Sequence, residues 1–133
     1  MTDHDRPQAI ITWFYYDDLQ SAATFYERML GFSLVVDQGW ARIYRASSGA
    51  HVGIVSGDKG SFRPQPQSAV LLTLVVDDVA EWHAYLHAHG AASLSDIQTH
   101  AEIQVRCFFL KDPGGYAIEI QQFLEPTVGD QFR

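Results

Sequence analysis

The chain has 133 residues, of which 47% are hydrophobic, and its 9 Lys and Arg against 16 Asp and Glu give a formal net charge of −7. A chain of this length buries about two-thirds of the surface that its unfolded form exposes, which is enough for one hydrophobic core. The negative charge disfavours nucleic acids and anionic membranes as partners, because both repel an acidic protein. We therefore expect one domain over residues 1–133 that binds neither.

Targeting and redox signals are few in this sequence. Residues 1–7 lack the basic-then-apolar order of a secretory signal, and the longest apolar run, residues 69–76, is too short to cross a bilayer. Cys107 is the only cysteine, so no intrachain disulfide can form, and its apolar surroundings predict a buried structural thiol. Together these features predict a cytoplasmic protein.

The first half of the chain predicts one strand, one helix and three further strands. Residues 9–16 are rich in β-branched and aromatic side chains, as is typical of a strand. Asp18 is a favourable N-cap, apolar residues follow it at helical spacing, and Gly31 ends the helix. Short polar turns then separate three predicted strands, at 32–36, 40–46 and 50–55.

The same order of elements returns after the Gly- and Pro-containing segment 57–68. A strand at 70–76 precedes Asp78, which forms a capping-box-like helix start with Glu81, and Gly90 closes this second helix. Further strands are predicted around 92–93, at 102–110 and at 116–123. The predicted fold class is therefore α+β, with two tandem βαβββ modules at 9–56 and 69–124 joined by 57–68.

Two motifs in these modules resemble the signatures of a known superfamily. Residues 18–32 read DLQSAATFYERMLGF, and residues 112–120 read DPGGYAIEI. Both are similar to motifs of the vicinal oxygen chelate superfamily, which includes glyoxalase I, bleomycin-resistance proteins and extradiol dioxygenases. The resemblance implies that the two modules form curved mixed sheets around a cleft, and that the chain pairs as a homodimer.

The resemblance also implies where a divalent metal would bind. In this superfamily four inward side chains hold the metal, one from the first strand and one from the last strand of each module. The matching positions in this sequence are Ile11, Gly53, Leu71 and Glu119. Because only the last of these carries a side-chain donor, we expect no cofactor, and a divalent metal is the alternative.

The first module supplies aromatic and histidine candidates for the cleft. If Ile11 faces the cleft, alternation along the strand places Trp13 and Tyr15 on the same face. These two rings can stack on a flat ligand, or they serve as core or dimer contacts. His51, two residues before Gly53, is a candidate general base or hydrogen-bonding group, or else a satisfied and partly buried histidine.

The second module supplies a carboxylate. Glu119 lies on a half-buried strand and suits proton transfer in an apolar cleft. Alternatively, it persists from a metal-binding ancestor and pairs with Arg42 or Arg106. Gln121 shares the face of Glu119 by alternation and can assist as a hydrogen-bonding amide.

The remaining histidines are weaker candidates. His83 and His87 stand four residues apart on the second helix, a spacing that can hold a metal. The apolar stripe of that helix turns both histidines to its rim, however, and favours a solvated helix face. His4 and His100 lie in terminal or loop segments and carry little weight.

These observations favour a small-molecule binding protein of this superfamily. The preferred hypothesis is that the cleft binds an aromatic or planar molecule without a metal, and the acidic charge favours a cationic one. The alternative is a glyoxalase-type lyase, isomerase or dioxygenase with Glu119 and His51 as catalytic residues, and a third is a structural or regulatory subunit with a closed cleft. The candidate ligand-binding residues are Trp13, Tyr15, His51, Arg106, Glu119 and Gln121, with Trp40 and Tyr44 as further cleft aromatics.

Overall fold

The computed structural model describes residues 6–133 and divides the chain into two compact units, the first ending at Gln65 and the second spanning Pro66–Arg133. His4 lies outside the described residues. Each unit contains one four-stranded sheet and the helix that follows its first strand. Within the described part of the chain, no helix is long and apolar enough to span a membrane.

The first unit is a βαβββ module. Asp18 caps its helix as predicted, because the Oδ1 atom accepts a hydrogen bond from the backbone N–H of Ser21 at 3.2 Å. Gly31 follows the helix at a φ of +72°, a left-handed conformation that glycine adopts without strain. The elements are β1 (Ile10–Tyr16), α1 (Leu19–Thr24) with a π-helical continuation (Phe25–Met29), β2 (Ser33–Asp37), β3 (Ala41–Ser47) and β4 (Ala50–Ser56).

The second unit repeats this order and ends in a short helical segment. Its elements are β5 (Leu71–Val75), α2 (Val79–Ala88), β6 (Gln98–His100), β7 (Val105–Lys111), β8 (Ala117–Phe123), α3 (Pro126–Gly129) and a 3₁₀ turn (Asp130–Phe132). The strand order is β1-β4-β3-β2 in the first sheet and β5-β8-β7-β6 in the second. In each sheet the first and last strands pair in parallel and the other pairs are antiparallel. The tandem βαβββ prediction is therefore confirmed.

One strand of the second unit differs from its prediction. The segment around 92–93 makes a single bridge, between Ala92 and Lys111, and the second strand of the module is instead β6. Residues 102–104, which were predicted to open the next strand, form a turn in which Gln104 has a φ of +52°. The three residues of β6 are polar and exposed or half-buried, so the sequence offers no apolar alternation to detect them.

Each sheet packs one face against its own helix, and this face forms the core of the unit. In the first unit Phe14, Tyr44 and Ile54 are at most 1% exposed, and Tyr44 stacks on Tyr26 of the helical segment. We call the opposite side of each sheet its distal face. Register and alternation place on the first distal face Ile11, Trp13, Tyr15, Ala41, Ile43, Arg45, His51, Gly53 and Val55.

Candidate ligand-binding site

An aromatic pocket of about 480 Å³ lies on the distal face of the first sheet. Strands β1, β3 and β4 contribute to it, together with Gln38 and Trp40 of the β2–β3 turn and residues 59–62 of the loop after β4. Its volume is within the range of small-molecule sites in proteins. The lining residues are Trp13, Tyr15, Gln38, Trp40, Ala41, Val55, Lys59, Gly60, Ser61 and Phe62.

The large aromatic side chains of this pocket remain accessible. Trp13 is 37% exposed, Trp40 is 46% exposed and Phe62 is 69% exposed. Exposed apolar patches on small proteins are often interaction sites, so this surface is a candidate binding site. The flat faces of indole and phenyl rings favour contact with planar molecules.

The loop after β4 is held against the sheet. The ring of Phe62 meets Tyr15 edge-to-face at 5.8 Å between centroids. The guanidinium of Arg63 donates to the backbone oxygens of Gly60, at 2.7 Å, and of Phe62, at 3.0 Å. Gly60 itself approaches so closely that an added Cβ would lie 2.7 Å from Cε1 of Tyr15. The loop is therefore one wall of the pocket.

Sequence reasoning treated this loop only as a connector and missed Lys59 and Phe62. The sequence did offer one indication of a binding role for this loop, namely a phenylalanine, Phe62, in a segment rich in Gly and Pro. The segment has no periodicity, so its position over Tyr15 was not predictable.

Trp13 occupies the space above Gly53, its partner in the β1–β4 ladder. An added Cβ at Gly53 would lie 2.7 Å from Cδ2 of Trp13 and closer still to two other ring carbons. Real Cβ atoms do not approach ring carbons so closely, so the indole requires glycine at this position. Gly53 is also the position that the superfamily resemblance assigns to a metal donor of the first module.

The residues at the implied metal positions do not fit a divalent ion. Ile11 and Leu71 are hydrocarbon side chains, and Gly53 has no side chain and is packed by Trp13. Glu119 alone offers oxygen donors, whereas such ions require several. Among residues 6–133, no group of three or more His, Cys, Asp and Glu is arranged to hold a metal.

His51 lies on the distal face of the first sheet but outside the pocket lining. It faces Ile11 on one neighbouring strand and Arg45 on the other. Its Nδ1 atom is shielded from solvent and has no hydrogen-bond partner among the described residues. His51 is therefore partly buried, as one of the two predictions stated, although this nitrogen is not satisfied.

Tyr44 is not a pocket aromatic, and this corrects the sequence prediction. It is fully buried on the helix side of the sheet, where its hydroxyl donates to Oε2 of Glu27 at 3.1 Å. Burial, aided by this carboxylate, raises the pKa of Tyr44 to about 12. Arg42 lies on the same side, 3.8 Å from Glu27 and 3.7 Å from Asp37, so these two carboxylates are the ion-pair partners that the structure gives it.

Glu119 forms a polar cluster on the distal face of the second sheet. Its Oε1 atom accepts a hydrogen bond from the hydroxyl of Thr73 at 2.8 Å. Cys107 is 3% exposed, as predicted for a structural thiol. Burial, together with a hydrogen bond to Glu119 and the charge of that carboxylate, raises the pKa of the Cys107 thiol.

The other candidates of the second unit divide between the two faces. Gln121 pairs with Cys107 and shares the face of Glu119. Arg106 pairs with Gln122, and alternation places it on the opposite face. The structure thus brings together Trp13 and Tyr15 in the first unit, and Glu119 and Gln121 in the second.

The second helix does not present a purely solvated histidine face. Nε2 of His83 lies 2.9 Å from the backbone oxygen of Ser95. The ring of His83 also packs edge-to-face on Phe108 at 4.9 Å. His83 is therefore half-buried against the sheet, whereas His87 is exposed as predicted.

Comparisons with known proteins identify the family. A family model described as Glyoxalase/Bleomycin resistance protein/Dioxygenase superfamily matches residues 9–120. A comparison with curated protein sequences finds no match. Among solved structures, the chain is similar to lactoylglutathione lyase from Agrobacterium tumefaciens, with 19% identity over 89% of this chain and 96% of that chain and a TM-score of 0.71.

Two further structures share the fold. TioX from Micromonospora sp. ML1 has 18% identity, 89% coverage of this chain, 100% coverage of its own and a TM-score of 0.73. The fosfomycin resistance protein FosX from Listeria monocytogenes has 13% identity, coverages of 90% and 93% and a TM-score of 0.68. At such identities the likeness carries the fold and not the activity. By its family-model match, the chain belongs to the glyoxalase/bleomycin resistance protein/dioxygenase superfamily, the vicinal oxygen chelate superfamily that its motifs resemble.

Proposed function

We propose that this protein binds a small planar or aromatic molecule in the aromatic pocket of its first unit, without a metal. The observation that carries this proposal is the grouping of Trp13, Trp40 and Phe62, three exposed rings, around one pocket. A flat ligand that enters it would bury apolar surface on several rings, and aromatic contacts would add to the binding free energy.

The metal-free part of the proposal rests on donor chemistry. Three of the four positions implied by the superfamily carry no donor atom, and the indole of Trp13 packs on one of them. Restoring a donor at Gly53 would displace that indole from the pocket lining. The aromatic contact and the metal ligand are therefore alternatives at this position.

The pocket favours binding over chemistry. Its described lining offers hydroxyl and amino groups, in Tyr15, Ser61 and Lys59, but no carboxylate, thiol or imidazole to serve as the base that would activate them. A protein that holds its ligand without turnover needs none of these groups. We therefore propose sequestration or delivery of the ligand as the role of this pocket.

A titration with indole tests the proposal. We expect saturable binding by calorimetry that changes less than about twofold when the protein is treated with EDTA. Trp13→Ala should weaken binding about tenfold, the scale at which a central aromatic contact contributes. Trp82→Ala is the matched control, because this tryptophan belongs to the second unit and does not line the pocket.

Two results would contradict the proposal. The first is a failure of indole and of related planar rings, neutral and charged alike, to bind to the folded wild-type protein. The second is a loss of binding on EDTA treatment that added Zn²⁺, Mn²⁺ or Ni²⁺ restores. Trp40→Ala provides a second variant if Trp13→Ala alters the sheet.

Acid–base catalysis at Glu119 is the second candidate function. The favouring observation is a half-buried carboxylate, oriented by Thr73, on the distal face of the second sheet. Glu119→Gln would then abolish turnover of a glyoxalase-type substrate while retaining its affinity, whereas a binding protein shows no turnover in either form.

We also propose that the protein acts as a cytoplasmic homodimer. Each described sheet ends in two edge strands, β1 and β2 in the first and β5 and β6 in the second, and partner chains commonly cover such edges. The unpaired Cys107 suits a reducing compartment. Light scattering tests the dimer, which would have twice the 14.9 kDa mass of one chain.

A further inference from the structure

We propose that the aromatic pocket selects planar molecules that carry a negative charge, such as aromatic carboxylates, over neutral or cationic rings. This inference rests on the proposed function, because it specifies the ligand class of the same pocket. It reverses the preference for cations that the net charge predicts.

The charge that lines the pocket is positive. Lys59 is the one charged side chain among its described lining residues, and neither Asp nor Glu is among them. Lys59 is exposed on the loop that forms the pocket wall, and it forms no ion pair with a described carboxylate. Its ammonium group is therefore available to an anionic substituent on a ring held between Trp13 and Phe62.

The surrounding distal face has the same sign. Arg45 of β3 lies directly opposite His51 of β4. Arg45 is exposed and, like Lys59, has no ion-pair partner among the described carboxylates. The other members of this face are apolar, aromatic or glycine, so its strand residues include no acidic side chain. This face is therefore positive although the chain as a whole carries a net charge of −7.

The acidic residues closest in sequence to the pocket lining each accept a hydrogen bond from another group. The carboxylate of Asp58 accepts from the hydroxyl of Ser56 at 2.5 Å, which is the largest cause that lowers the pKa of Asp58, and the charges of Lys59 and Arg63 lower it further. The carboxylate of Asp37 accepts from the backbone N–H of Gly39 at 2.9 Å and lies 3.7 Å from Nε of Arg42. Neither lines the pocket.

Local charge outweighs net charge for a small bound molecule. At physiological ionic strength exposed charges are screened over about 8 Å. Acidic groups elsewhere on the surface then affect the rate at which a ligand approaches more than they affect its free energy of binding. A lysine at the rim of the pocket acts within that distance.

Three probes with one ring system separate the two proposals. Indole is neutral, indole-3-acetate is anionic and tryptamine is cationic at neutral pH, and the two charged probes are similar in size. Calorimetry should give indole-3-acetate about five- to tenfold higher affinity than tryptamine, with indole between them, since one exposed charge contact changes affinity by up to about fivefold. High salt, about 0.5 M, should reduce the ratio.

Variants locate the charge that is responsible. Lys59→Gln should bring the affinities of the two charged probes to within about twofold of each other, because it removes the one charge that lines the pocket. Lys111→Gln is the matched control, since it removes the same charge from an exposed lysine of β7 in the second unit. Asp58→Asn, which removes the acidic neighbour of Lys59, should leave the ratio equal or increase it.

The outcomes are distinct. If indole binds but tryptamine binds as tightly as indole-3-acetate, the charge inference is overturned and the proposed function stands. If the preference for the anion survives Lys59→Gln in a folded protein, the assignment to this lysine is wrong. If none of the three probes binds, the proposed function itself fails.

Discussion

The indole of Trp13 lies directly on the backbone of Gly53, its partner in the parallel β1–β4 ladder. Only a residue without a Cβ leaves room for the ring in this position. Gly53 also stands where the superfamily resemblance implies a metal donor. A side chain that carried a donor at this position and the ring of Trp13 would therefore compete for the same space.

Gly53→Ala should destabilise the protein by about 1–3 kcal/mol and weaken indole binding, because the new methyl group overlaps the Trp13 ring. Urea unfolding measures the loss. In a Trp13→Ala background the same substitution should cost much less, so the two changes should not be additive. An equal cost in both backgrounds would show that the ring does not occupy this space.

The raised pKa of Tyr44 predicts that the protein loses stability at alkaline pH. Its pKa is raised by burial from 10.0 to about 12, so between these values the folded protein keeps a proton that the unfolded chain releases. The stabilising contribution is complete below pH 10 and declines as the pH rises through 12.

Unfolding free energies at about pH 9.5 and about pH 11.5 test this expectation. Wild type should lose about 1–2 kcal/mol more than Tyr44→Phe between these conditions, because the phenylalanine variant has no proton to release at this site. The other tyrosines titrate in both proteins and cancel in the comparison. An identical decline in both would refute the assignment.

Burial raises the pKa of the Cys107 thiol, and Glu119 adds to this effect. Glu119→Gln should lower the pKa of the thiol, since it removes the negative charge and the carboxylate hydrogen bond that oppose ionisation. The pKa should stay above the ordinary value, because burial is the larger cause and persists. Thiolate absorbance during a pH titration reports the change once the titration of a Cys107→Ser variant, which retains the six tyrosines, has been subtracted, as Cys107 is the only cysteine.

Thr73→Val is the control for this measurement. It removes the hydroxyl that donates to Glu119 but retains the carboxylate. The thiol pKa should therefore remain raised in this variant. A thiol that titrates alike in wild type and Glu119→Gln would contradict the coupling.

Asp112 anchors the turn between β7 and β8. It is 3% exposed, and its Oδ1 atom accepts hydrogen bonds from the backbone N–H groups of Gly114 and Tyr116, both at 2.9 Å. Asp112→Ala leaves these donors without that acceptor and should cost about 1–3 kcal/mol in urea unfolding. Asp112→Asn retains an oxygen acceptor and should cost less. A fully stable alanine variant would show that the turn forms without this side chain.

Elements set by local rules were predictable. The Asp18 and Asp78 caps, and the glycines that end both helices, recur in the same order at similar spacing, so the repeated module was visible without coordinates. Period-two alternation likewise placed Trp13 with Tyr15 on one strand face. The polar strand β6 was missed because it has no apolar pattern.

The candidate site was predictable only in part. Tyr44 was assigned to the site although it faces the helix, because the register between β3 and β4 was unknown. Phe62 and Lys59 were missed because a loop without periodicity gives no indication of its path. The packing of His83 on Phe108 was missed for the same reason, as it joins a helix to a strand distant in the chain.

The sequence by itself determined the superfamily, the duplicated βαβββ order and the absence of donors at three implied metal positions, because each depends on residue identity and local spacing. The tertiary structure decided which aromatic rings share a pocket, which side chain fills the space above Gly53 and which charge lines the pocket. These depend on strand register and loop path, which arise from contacts between residues far apart in the chain, and no local pattern encodes them.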